Sequence, residues 1–130
     1  MEFITKMEWH DETKAIRELV PDLENTKFLK DYIIHKEIPF KDWIGMSVQA
    51  GTGFHSVPNT PVELVEYKAM EMAVTCNGSI VPVGELLPDF PHKDEMGKYL
   101  LGDNAAVYGR VPVEIVEEIY QGLKKEYGLR

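Results

Sequence analysis

Proline stands at positions 21, 39, 58, 61, 82, 88, 91 and 112, and these eight residues divide the chain into short segments. Each lacks a backbone N–H and fixes φ, so it can open a helix or flank a strand but cannot continue either through its interior. The elements are therefore short, and the residues around each proline indicate their kind.

Ahead of Pro21, Phe3, Met7 and Trp9 share one face of a loosely alternating segment, which suggests a short strand. From Asp11 the period changes: Ala15, Ile16, Leu19 and Val20 recur at helical spacing behind an acidic cap, and Pro21 ends the run. Phe28, Leu29, Tyr32 and Ile33 suggest a second helix, bounded by Asn25-Thr26 and Ile38-Pro39. Ile44, Met46 and Val48 then alternate with Gly45, Ser47 and Gln49, the pattern of a half-buried strand.

The segment Thr60-Pro61-Val62-Glu63 offers a cap hydroxyl, a proline at the first helical position and a glutamate placed to reach back. A helix is expected there, with Val62, Val65, Ala69, Met72, Ala73 and Cys76 as its apolar stripe and Asn77-Gly78 as its left-handed stop. The rival reading makes Asn77-Gly78 a hairpin turn joining Met70-Cys76 to Ser79-Val83. The helix is preferred, because cap and stripe agree and Pro82 limits the following segment to an edge strand.

Leu87-Pro88-Asp89-Phe90-Pro91 reads as a rigid connector, Lys93 to Leu101 as a short helix ended by Gly102-Asp103-Asn104, and Ala105 to Tyr108 as a strand. A last helix carries Val113, Val116, Tyr120, Leu123 and Tyr127 on one face, Lys124 and Lys125 near its carboxyl end, and Gly128 as its stop. Pro112-Val113-Glu114-Ile115-Val116-Glu117 echoes Pro61-Val62-Glu63-Leu64-Val65-Glu66. Duplication would explain the echo, but a shared preference for proline and acid at helix starts explains it as well.

The architecture expected is α+β: a small sheet of three or four short strands packed with four or five helices, the strongest beginning at Pro61 and Pro112. A small α/β arrangement is the alternative. At 130 residues and 44% hydrophobic content, one globular domain spanning 1–130 is expected, large enough to fold without disulfides.

Charge narrows the partners. A net charge of -8, with Arg17, Arg110 and Arg130 as the only arginines, argues against direct nucleic-acid binding and against anionic membrane surfaces. Cys76 is the single cysteine, so an intrachain disulfide is impossible and a reducing, cytoplasmic setting is expected. No apolar run is long enough to span a bilayer. Homo-oligomerisation is left open.

The leading site candidate is the loop from Gly51 to Thr60. Gly51 and Gly53 permit close backbone approach to a ligand, Thr52, Ser56 and Thr60 supply hydroxyls, and His55 is a candidate for proton transfer. Glu66, flanking the expected helix face, is a candidate assistant to His55 in acid–base chemistry. Gly-Thr-Gly lacks the further glycines of a dinucleotide fingerprint and the Gly-Lys-Ser/Thr of a phosphate loop. Cys76 lies on an apolar stripe and reads as a core residue, reactive only if His55 or His35 approached it.

His10-Asp11-Glu12 and His92-Lys93-Asp94-Glu95 read as polar helix starts rather than metal ligands, so neither metal nor cofactor is expected. The favoured function is a non-catalytic binding module that recognises a protein partner or small ligand through the Gly51-Thr60 loop. A small enzyme using His55 as general acid or base is the first alternative. An acidic inhibitor that occupies a basic, nucleic-acid-binding site on another protein is the second.

Overall fold

The computed structural model describes residues 1–8, 33–103 and 105–130, and all structural statements below concern these residues. The helices expected from Asp11 and from Phe28, the His10-Asp11-Glu12 cluster, Trp9 and Asn104 lie outside them.

A short helix, α1 (Glu2–Thr5), is followed by strands β1 (Ile38–Pro39), β2 (Ile44–Gln49), β3 (Ala69–Cys76) and β4 (Ser79–Val81). Next come a one-turn helix α2 (Val83–Leu86), strand β5 (Tyr108–Pro112) and a long helix α3 (Val113–Tyr127). Two 3-10 turns, Leu64–Glu66 and Glu95–Tyr99, complete the regular structure.

The expected architecture is corrected in two ways. The strands form one antiparallel sheet of five, and the described residues hold three α-helices, of which only α3 is longer than four residues. The α/β alternative fails as well, because every strand pair is antiparallel.

The decisive error lies at Pro61. Instead of one helix running to Cys76, the chain makes a loop, the 3-10 turn at Leu64–Glu66, and then β3, which is paired along both edges. Its partner on one side is β2, with Ile44 opposite Cys76 and Gln49 opposite Glu71. Its other edge is shared end to end: β4 pairs with Val74 to Cys76, and β5 with Ala69 to Met72. Met70, Met72 and Val74 fit a two-residue period as well as the helical stripe fitted its own. Pairing with distant strands, which a local pattern cannot register, decides between them. Val65, a member of that stripe, is 78% exposed.

Asn77 and Gly78, at φ 53° and 81°, make the tight turn of the β3–β4 hairpin, so the rival reading of that dipeptide is the one realised. Asp42 and Trp43 adopt φ 60° and 61° between β1 and β2, and the two turns are tied by a bond from the Asn77 N–H to the Trp43 carbonyl at 3.0 Å. The echoed hexapeptides take different structures: Pro61 to Glu66 leads into a 3-10 turn, whereas Pro112 caps α3. The resemblance therefore does not mark a repeated unit.

Other local expectations also shift. The strand expected from Phe3 is helix α1, whose Glu2 and Phe3 N–H groups donate to the Glu117 carboxylate at 2.7 and 3.3 Å. The helix expected from Lys93 to Leu101 shrinks to the 3-10 turn at Glu95–Tyr99, and the strand expected at Ala105 begins at Tyr108. The strand at Ile44–Gln49 and the helix after Pro112 are present where the sequence places them.

One face of the sheet carries Met46, Val48, Met70, Met72 and Val74, which join Val116, Ile119, Tyr120 and Leu123 of α3 in a single buried cluster. Each such fully buried aliphatic side chain contributes about 1.5–3 kcal/mol. The opposite face carries Ser47, Gln49, Glu71, Ala73 and Thr75, as strand alternation requires. That second face, left to polar residues, holds the site described next. No helix among the described residues is long and apolar enough to cross a membrane.

Candidate functional site

On the polar sheet face lies a cleft of about 380 Å3 bordered by His35, Ser47, Gln49, Phe54, Glu71 and Ala73. A second cleft of about 340 Å3 is bordered by His35, Ala50, Gly51, Val62, Glu63 and Tyr67. His35 is common to both.

His35 is held by a neighbour on β2. The Gln49 carboxamide accepts a hydrogen bond from the His35 N–H at 2.8 Å and donates to the His35 carbonyl at 2.9 Å, imitating a strand partner. It also donates to the Ser47 hydroxyl at 3.0 Å, which fixes the amide orientation. With its backbone clamped, His35 is only 6% exposed, and its imidazole Nδ1 is buried without a hydrogen-bond partner. Burial pushes its pKa below the ordinary histidine value, because the imidazolium loses hydration that nothing replaces, so the ring is neutral near pH 7.

The Gly51 to Thr60 loop passes beside this face and is pinned at several points. Val57 forms a bridge with Ala69, its N–H donating to the Ala69 carbonyl at 2.9 Å while its own carbonyl accepts from Lys68 at 2.8 Å. Gly51, at φ 98°, donates its N–H to the Ser56 hydroxyl at 2.9 Å, and a Cβ at Gly51 would stand 3.0 Å from the Tyr67 hydroxyl. The Ser56 hydroxyl in turn donates to the Pro58 carbonyl at 2.8 Å and is buried. Ser56 is thereby committed to holding the loop's shape.

His55 meets a carboxylate that local pattern did not single out. Its Nδ1 lies 2.9 Å from Glu71 Oε1, and its N–H donates to the same oxygen at 3.2 Å. The His55 side chain is 48% exposed and that of Glu71 17%. The His55 carbonyl accepts from the Arg110 N–H at 2.8 Å, so β5 and β3 together fix this residue. In the tautomer that carries its proton on Nδ1, His55 donates to Glu71 and leaves Nε2 as a hydrogen-bond acceptor.

Of the loop residues singled out from sequence, Gly51 borders the second cleft. Thr52, Gly53, His55, Ser56 and Thr60 border neither. Thr60 is exposed and its carbonyl accepts from the Tyr67 hydroxyl at 2.8 Å. Glu66, exposed at the end of its 3-10 turn, borders neither cleft, and the carboxylate at His55 is Glu71.

Cys76 sits at the far end of β3, partly buried, with the Asn77 amide 3.8 Å from its sulfur. His92 lies between Glu95, 3.3 Å from Nδ1, and Glu118, 3.0 Å from Nε2. Among the described residues no three His, Cys, Asp or Glu side chains are gathered as metal ligands.

Nothing periodic marks His35 as a site residue, and it figures in the sequence only as a neighbour for Cys76. Glu71 falls in the segment expected as a helix, outside its apolar stripe. The chain matches no family model, no curated protein and no solved structure.

Proposed function

We propose that the protein is a non-catalytic binding module that holds a small polar ligand over the His35, Gln49 and Glu71 face of the sheet, beside the Gly51-Thr60 loop. The observation that carries this reading is His35, which borders both clefts and whose buried Nδ1 has no hydrogen-bond partner. A buried nitrogen without a partner is unfavourable by about 1–3 kcal/mol, and a ligand group within hydrogen-bonding distance removes that penalty on binding. Ser47 and Glu71 add further polar contacts, while Phe54 and Ala73 suit an apolar ring or chain.

Native mass spectrometry of the purified chain, followed by an NMR fragment screen with labelled histidine, tests the reading. Retained ligand or fragments that move the His35 ring signals, lost in His35→Phe, support it. A bare chain whose His35 signals no fragment moves would overturn it.

The His55–Glu71 geometry favours a second reading, in which His55 is a general base oriented by Glu71. For any ligand that proves to be turned over, His55→Ala must then abolish turnover while leaving affinity near its original value. Unchanged turnover in that variant removes the catalytic reading.

A further inference from the structure

A third cleft, of about 530 Å3, runs between α3 and the connector from Leu87 to His92. Its floor is apolar: Leu87 and Phe90 are buried there, with Pro88 and Pro91 exposed beside them. Gly122 lets the connector lie against the helix, since a Cβ at that position would stand 3.0 Å from Leu87 Cδ1. The prolines hold the connector's shape without any ladder of hydrogen bonds.

The rim is acidic. Among the described residues that line it, Asp89, Glu117, Glu118 and Glu126 stand against two basic side chains, Lys125 and His92. Glu117 is occupied by the N–H groups of Glu2 and Phe3, whereas Glu118 meets His92 Nε2 through Oε2 alone and its side chain is half exposed. Asp89 and Glu126 have no ion-pair partner among the described residues.

We infer that this cleft docks a basic segment of a partner protein, which sets an apolar side chain on the proline-flanked floor and its Arg or Lys groups against Asp89, Glu118 and Glu126. Charge complementarity selects this occupant. An acidic rim on a chain of net charge -8 repels phosphates and carboxylates and raises the local concentration of cations. An apolar floor with a charged rim is the usual anatomy of a protein-binding patch.

The test uses the full chain and a fluorescein-labelled peptide of alternating leucine and arginine, with a leucine–glutamate peptide as control. The arginine peptide is expected to bind and to shift amide NMR signals of Leu87 to His92 and Glu117 to Glu126. The triple variant Asp89→Asn, Glu118→Gln, Glu126→Gln, its fold verified by circular dichroism, is expected to bind about tenfold more weakly. Lys125→Glu is expected to bind several-fold more tightly, and both effects shrink with added salt. Four outcomes overturn the inference: no binding, signals shifted elsewhere, equal affinity for the glutamate peptide, or displacement by spermidine as effective as by unlabelled peptide.

Discussion

The side chain of Gln49 satisfies both backbone polar groups of His35, accepting from its N–H at 2.8 Å and donating to its carbonyl at 2.9 Å. A carboxamide here takes the place of a strand on the edge of β2 that β1, paired only with Gly45 and Met46, does not reach. Replacing Gln49 by leucine leaves two buried groups without partners, and urea denaturation should show a loss of about 2–4 kcal/mol. Full stability in that variant would mean the clamp is not what holds His35.

The His35 ring predicts a pH dependence. Its folded-state pKa is depressed by burial, so the folded protein prefers the neutral ring while the unfolded chain takes up a proton at the ordinary histidine value. Stability is therefore full above about pH 6.5 and falls as pH drops from there toward the folded-state pKa. In His35→Phe this slope should be reduced between pH 7 and 5, as read from denaturation midpoints at each pH. An unaltered slope contradicts the assignment.

In a more acidic range, a second group contributes: Lys124 and Tyr120 both donate to the Glu2 carboxylate, and these bonds pull its pKa below the usual carboxylate value. Stability from this group is present above the unfolded carboxylate pKa and is lost as pH falls through the folded one. Glu2→Gln should lower the melting temperature at pH 7 and leave it close to the parent's at pH 3. Equal losses at both pH values would assign the effect to packing instead.

Gly109 on β5 has no room for a side chain. A Cβ there would stand 2.9 Å from the His55 Cβ and 2.5 Å from Leu101 Cδ2. Gly109→Ala is expected to destabilise by about 1–3 kcal/mol and to shift the His55 ring signals in NMR, since one of the two contacts must yield. Unmoved ring signals together with parental stability would argue against this packing.

Two substitutions separate the strand from the helix that local pattern favours. Val65→Lys lies in solvent and should change stability by no more than about 0.5 kcal/mol. Met70→Ala, fully buried on β3, should lose about 2–5 kcal/mol in the same denaturation assay. The reverse ranking would restore the helix.

Those two residues also show where sequence reasoning stopped. Ile44 to Gln49 and the helix after Pro112 were legible because their apolar residues recur with a single clean period in each. From Val62 to Cys76 two periods fit the same residues, and only the partners of β3, as far away as Tyr108 to Pro112, choose between them. The site suffered likewise. His55 was visible as a loop histidine, but Glu71 lies 16 residues away in a segment assigned to the wrong element, and the clamp on His35 joins residues 14 apart. Spacing alone encodes neither pairing.

The shared edge of β3 carries a consequence for biosynthesis. Val74 to Cys76 acquire their second neighbour at once, through a two-residue turn, whereas Ala69 to Met72 must wait until Tyr108 to Pro112 have left the ribosome. Until then the nascent chain presents a bare, apolar stretch of ladder open to intermolecular pairing. The polypeptide is most exposed to misassembly during translation of the segment between β4 and β5.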